Sequence, residues 1–331
     1  MQRRKLLIFA PGLAALSALS ALSSLAGRAW AQSPAAEGFR IVAPFPPGGP
    51  VDALARLLAA GLAERYKQSA LVENLAGAAG NIGLEKVKRA KPDGQTLLLV
   101  PAGNLTINPT LMSSFPFNIE RDFAPITMLA KAPNVLVANP ALKVKNIREL
   151  IALAKAKPGT LAYASPGVGS GLHLAGELFK QQADIDLLHV PYKGTGPALN
   201  DVLGGQVPLM FSNLPGVLAY IKSGKLVALG LTEAARSSTA PDIPTLAEQG
   251  ISGVLVTSWY GLLAPAATPA TTLERLAKDA ADILGQSAVR EQLKAQGLTE
   301  TFMKPNEFAA HIRVETAQWA RILKARNIVA E

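Results

Sequence analysis

A two-lobe α/β fold is predicted by three features of the sequence. Apolar, β-rich runs alternate with amphipathic helical stretches, the pattern of βαβ units and largely parallel sheets. Two such sets follow one another and a long helical tail closes the chain, the order expected when a chain crosses to a second lobe and returns. Hydrophobic residues make up 49% of the 331 residues against 17% charged, enough to fill large cores and too apolar for a disordered chain.

The first 31 residues are a separate matter. Arg3, Arg4 and Lys5 precede an apolar stretch over 6–25, which is diluted by serines and broken by Pro11 and Gly12; Ala29-Trp30-Ala31 then supplies small residues. This layout reads as an export signal cleaved after Ala31 rather than as a membrane anchor. Cleavage removes Arg3, Arg4, Lys5 and Arg28 and lowers the formal charge from +9 to +5. The remaining charge is spread along the chain, which fits a small anionic ligand better than nucleic acid. Aromatics at 5% also argue against a base-stacking platform. There is no cysteine, so the core alone must stabilise the chain and thiolate metal sites are excluded. His173, His189 and His311 are too scattered for a histidine metal site, and no cofactor is expected.

In chain order, FRIVA at 39–43 is a strand, PFPPGGP at 44–50 a loop, and 51–66 an amphipathic helix with Asp52 in its first turn. A strand around 71–73, the loop at 74–83 and a helix at 84–91 form a second unit. PDG at 92–94 is turn chemistry before the strand at 95–100, which ends at the loop PAGN. A strand at 134–140 leads to a helix closed by Pro158-Gly159. Next come the strand TLAYAS, the loop SPGVGSG at 165–171 and a helix at 172–183. Strand, loop and helix repeat over 186–207, short strands follow at 208–216 and 226–232, and SWYGLLAP at 258–265 is an apolar crossing segment. The tail over 271–327 is helical with one turn at 304–306. Crossings are expected near 135–138 and 259–263, giving a first lobe of residues 37–138 plus 262–331 and a second of residues 139–261.

Two glycine-rich loops, 44–50 and 165–171, stand between a strand and a helix. Glycine permits close approach of a ligand, and the free N–H groups of a helix start attract an anion. Each such start contributes about 0.3–1 kcal/mol when exposed and up to ~2 when buried. A facing pair could hold a small carboxylate without any arginine. Neither loop matches a nucleotide-binding pattern. Ser170 lies between Val168 and Leu172 and so is not a nucleophile elbow, which with the absence of a carboxylate dyad argues against an exported hydrolase. His173 could touch ligand or simply cap its helix; His189 reads as structural, and His311 as lying on an exposed face. Asn81, Asn104, Tyr192, Thr195, Ser212 and Asn213 each follow a strand, where ligands of open α/β sheets bind and where turn-capping residues also sit.

The segments IVAPFPPGGPVDALAR, VENLAGAAGNIG, AKPDGQTLLL, INPTL, RDFAPIT, HVPYKGTGPALNDVLGGQV, RSSTAPDIPTLAEQGI and SWYGLLAPAATP span the mature chain in order. Together they resemble the substrate-binding proteins of tripartite tricarboxylate transporters, the Bug (Bordetella uptake gene) family. The resemblance implies a type II periplasmic binding-protein fold, with two α/β lobes, two hinge crossings and a ligand cleft, and a receptor rather than an enzyme. It implies a monomer that delivers a small carboxylate to a membrane transporter of a large and a small subunit. The alternative is a sensor presenting its closed form to a two-component kinase. Carried onto this chain, the ligand-binding positions of the first lobe are Phe45, Pro47, Gly48, Gly49, Asp52, Gly80, Asn81, Ala102 and Asn104. Those of the second are Ser165, Gly167, Gly169, Ser170, His173, Tyr192, Thr195 and Asn213. Three positions depart from the family pattern: Val51 stands where Thr is frequent, Leu75-Ala76 where Arg-Pro is frequent, and Ser212 where Asp is common.

Overall fold

The computed structural model describes residues 38–325, 327 and 328. The export signal read over 1–31 lies outside them. The chain runs β1 (Phe39–Ala43), α1 (Pro50–Tyr66), β2 (Ala70–Asn74), α2 (Asn81–Lys88), β3 (Thr96–Pro101), α3 (Ala102–Thr106), α4 (Asn108–Leu111), α5 (Ile119–Asp122) and β4 (Phe123–Ala132). It continues with β5 (Asn134–Ala138), α6 (Ile147–Ala156), β6 (Ala162–Ser165), α7 (Gly171–Ala183), β7 (Leu188–Pro191), α8 (Thr195–Leu203), β8 (Leu209–Asn213), α9 (Leu214–Lys222) and β9 (Val227–Leu231). The last elements are β10 (Ser258–Pro265), α10 (Ala270–Leu284), α11 (Ser287–Ala295), β11 (Thr299–Glu300) and α12 (Pro305–Ala325).

Two sheets result, one per lobe. The first has strand order β11-β4-β10-β3-β1-β2 and the second β7-β6-β8-β5-β9. Both are mixed rather than largely parallel. The parallel pairs are those of the βαβ units, β1 with β2 and β3, and β6 with β7 and β8. The strands that travel between the sheets, β4, β5 and β10, pair antiparallel. Parallel pairing is what aims the β1–α1, β6–α7 and β7–α8 loops at one end of their sheets.

Burial follows the hydrophobic pattern. Helix α1 turns Leu54, Leu58 and Leu62 inward at helical spacing, and Leu276 and Ile283 of α10 pack on the same side of the first sheet. Gly61 is where these helices approach, because a Cβ there would overlap the Ile283 side chain. The second core is built on Leu136, Phe179 and Phe211. Helix α12 serves both. Its Phe308 and Ile312 pack with β3 and β10 residues, while Trp319 and Leu323 join the core of the second sheet.

The chain passes between sheets at Pro133, and returns between β9 and β10. The expected crossings at 135–138 and 259–263 are therefore not the passages themselves: these residues lie within the second and the first sheet, each just past the passage. Glu233 ties the two passages together. Its Oε1 accepts the N–H of Asn134 at 3.1 Å and its Oε2 the hydroxyl of Thr257 at 2.5 Å. Burial pushes this carboxyl above its ordinary value.

Other elements also differ from the sequence reading. β4 is a ten-residue strand the pattern did not reveal, because buried residues occupy both of its faces. PAGN opens helix α3 instead of being a loop, and the strand read over 208–216 ends at Asn213, the N-cap of α9, with Pro215 in that helix's first turn. The tail breaks at Gly285 and again before β11. His311 is only partly exposed, its ring edge-on to Trp259 at 5.4 Å.

Candidate functional site

The ends of the βα units enclose a cavity of about 370 Å³. From the first sheet its wall takes Phe45, Pro47 and Gly49 of the β1–α1 loop, with Gly80 and Asn104 beside them. From the second it takes Gly167, Gly169 and Ser170 of the β6–α7 loop, Tyr192 and Thr195 of the β7–α8 loop, and Asn213 at the end of β8. The two glycine-rich loops thus face one space.

The halves touch on both flanks of that space. On one side a Cβ on Gly194 would lie 3.5 Å from Pro46 Cδ. On the other, a Cβ on Gly103 would collide with the Gly169 carbonyl, and a Cβ on Gly169 with the Asn108 amide. Gly169 also has φ +76°, a backbone state that favours glycine.

Six expected site residues stand behind the wall, and their partners show why. Asp52 is turned back onto its own loop, accepting from Gly48 N–H at 3.1 Å, Arg56 Nε at 3.0 Å and Asn74 Nδ2 at 3.0 Å. Burial pushes its carboxyl up, but these bonds outweigh it and hold the group below its ordinary range. Gly48 serves as the donor of that brace. Ser165 Oγ pairs with His189 Nε2 at 2.7 Å and accepts Gly167 N–H at 3.2 Å. His173 Nδ1 accepts the Gly169 N–H at 3.3 Å, and its ring stacks on His189 at 4.3 Å. Burial keeps both imidazoles neutral, His173 lowered to about 4 and His189 to about 3, where the neighbouring His173 adds to the effect. Asn81 and Ala102 begin helices beside the cavity without lining it.

The wall also contains residues that sequence reasoning missed. Ser258 and Tyr260 form part of it where β10 begins. Tyr260 donates to Asn213 Oδ1 at 3.1 Å; Asn213 Nδ2 and Ser258 Oγ both donate to Asn134 Oδ1, at 2.7 and 2.9 Å. This network joins both passages to the cavity wall. Two polar groups inside the apolar run SWYGLLAP were the available signal. Ala78 and Ala79 line the cavity with left-handed φ values of 47° and 54°, and Asn104 Nδ2 donates to the Ala79 carbonyl at 2.7 Å. Asn108 is 2% exposed, lines the cavity, and its Oδ1 has no hydrogen-bond partner.

Electrostatically the site rests on main chain. Helices α1, α7 and α8 start at the wall with Gly49, Ser170 and Gly194 as N-caps; the Ser170 hydroxyl takes the His173 N–H at 3.1 Å, Pro50 and Pro197 carry no N–H, and the other first-turn N–H groups have no intrahelical acceptor. Lys193 is the one charged residue of the wall, and it is exposed. Among the described residues no cluster of three His, Asp or Glu could hold a metal ion, and no helix is long and apolar enough to cross a membrane.

The chain has clear relatives. It is 37% identical to BugT of Bordetella pertussis over 286 residues, 86% of this chain and 88% of BugT. The solved periplasmic binding protein BugD is 33% identical and superposes with a TM-score of 0.83 over 89% of this chain and 99% of its own. A Rhodopseudomonas palustris protein solved with adipate is 32% identical, with a TM-score of 0.84 over 88% of this chain and 98% of its own. The profile of the tripartite tricarboxylate transporter family receptor matches residues 54–328. With two lobes of this topology and a cavity between them, the chain belongs to that receptor family, a solute-binding protein of the Bug type and not an enzyme.

Proposed function

We propose that this protein is a periplasmic receptor that closes over a small carboxylate and delivers it, as a monomer, to a membrane transporter of one large and one small subunit. The observation that carries the carboxylate reading is the set of helix starts from both sheets around one cavity whose wall contains no acid. Such N–H groups, backed by their helix dipoles, favour an anion. The adipate held by the Rhodopseudomonas palustris relative supports the same class. Lobes built on the two sheets, in contact at Pro46–Gly194 and at Gly103–Gly169, open and close about the passages at Pro133 and before Ser258. Export with cleavage after Ala31 completes the reading.

Thermal melts test it. Carboxylates raise the melting temperature by mass action, about 2.7 kcal/mol at a hundredfold excess over Kd, while their neutral amides do not. Stabilisation by the amides alone contradicts the reading.

A further inference from the structure

We propose that Asn108 contacts the ligand directly, its side-chain amide donating from the first lobe to a carboxylate that rests on the start of helix α7 in the second. This deepens the carboxylate reading and rests on it. Asn108 begins helix α4, is 2% exposed and lines the cavity, yet its Oδ1 has no hydrogen-bond partner. Buried side-chain amides are as a rule bonded, and one left unbonded costs the fold stability until a guest or a water completes it. The amides of Asn104 and Asn213, also in the wall, are used within the protein. Asn104 donates to the Ala79 carbonyl at 2.7 Å, while Asn213 donates to Asn134 Oδ1 at 2.7 Å and accepts from Tyr260 at 3.1 Å.

The place of Asn108 indicates what it binds. A Cβ built on Gly169 would lie 1.9 Å from its Oδ1, so the amide rests against the residue before the N-cap of α7. There the Ser170 hydroxyl takes the His173 N–H at 3.1 Å, which leaves the N–H groups of Gly171 and Leu172 without an acceptor in the helix. Both residues line the cavity, as Asn108 does. An anion drawn to that helix start meets the amide as its neighbour from the other lobe. The two ends of an amide are nearly alike in shape, so with Oδ1 unbonded the group can present Nδ2, with its two donors, to a carboxylate oxygen. Main-chain N–H groups of one lobe and the Asn108 amide of the other then hold the same carboxylate, which ties binding to the meeting of the halves.

Calorimetry on two variants tests this, with the tightest-binding of adipate, malate, hexanoate and benzoate as the probe. Asn108→Ala removes the amide. Asn108→Asp keeps its shape against Gly169 but exchanges the donors for a negative charge. Each should bind the probe at least about tenfold more weakly than the unaltered protein, the scale of a hydrogen bond to a charged group. Ligand-free Asn108→Ala should melt no lower than the unaltered protein, since the Oδ1 it removes bonds to nothing in the fold. That pairing separates a ligand contact from a structural residue, whose loss lowers the melting temperature. A smaller loss of affinity in either variant, or a lowered melting temperature of ligand-free Asn108→Ala, overturns the assignment and leaves the carboxylate receptor intact. If none of the four acids binds the unaltered protein at millimolar concentration, the carboxylate reading itself fails and the role of Asn108 fails with it.

Discussion

Gly169 shows how much of this site depends on single atoms. It has a left-handed backbone and lies against the Asn108 amide from the other half, with no room for a Cβ. Gly169→Ala should therefore weaken carboxylate binding at least tenfold by calorimetry. Gly216→Ala, at a position where a Cβ meets nothing within 4 Å, should leave binding unchanged. Equal affinity in the Gly169 variant would show that this approach is not part of the bound state. The glycines of both loops were legible in the sequence because a glycine cluster between a strand and a helix marks a tight turn with an open backbone. The role of Asp52 was not. A first-turn acid can face a ligand or brace its own loop, and only the positions of Arg56, Asn74 and the Gly48 N–H decide for bracing. Asn108 was equally hidden, because its importance comes from a residue 61 positions later in the chain.

At the scale of elements, the β6–α7 loop is held from below by a stack of three rings, Tyr163 on His189 at 4.9 Å and His189 on His173 at 4.3 Å. Glu177 and Lys180 of α7 lie nearby, Glu177 accepting from both Tyr163 and Lys180. The unfolded chain takes up protons on these histidines near their ordinary value of 6.5, whereas in the fold they remain neutral down to about 4 and about 3. Unfolding thus binds protons between those limits. This part of the stability is complete above pH 6.5 and is lost as pH falls toward 4. Melting temperatures measured across that range should decline, and His189→Gln should flatten the decline; an unchanged slope would mean that His189 is not held neutral. The sequence placed these two histidines on a helix start and a strand, but their stacking depends on β6 and β7 being parallel neighbours. Local pattern also served poorly for β4 and α9. A strand buried on both faces shows no alternation, and an apolar run can end at a proline that starts a helix.

For the whole molecule, the two sheets and their antiparallel passages form a frame that brings three helix starts to one place. Strands β4 and β10 pair along their full length within the first sheet, and β5 is an inner antiparallel strand of the second. Asn134, Glu233, Thr257 and Ser258 join the passages, and through Asn213 and Tyr260 that junction reaches the cavity. Cavity wall and passages therefore share a hydrogen-bond network. The alternation of elements and their order revealed the two-lobe plan from sequence. The cavity wall was legible where it is made of the glycine-rich loops, and hidden where it is made of the passages, whose only mark was Ser258 and Tyr260 in an otherwise apolar strand.

The most direct measurement is a crystal structure with the tightest-binding carboxylate in place. Its oxygens should lie about 2.7–3.2 Å from helix-start N–H groups of both lobes, at α1 on one side and at α7 or α8 on the other. A carboxylate held by one lobe alone, or outside the cavity, would contradict a clamp built from the two halves.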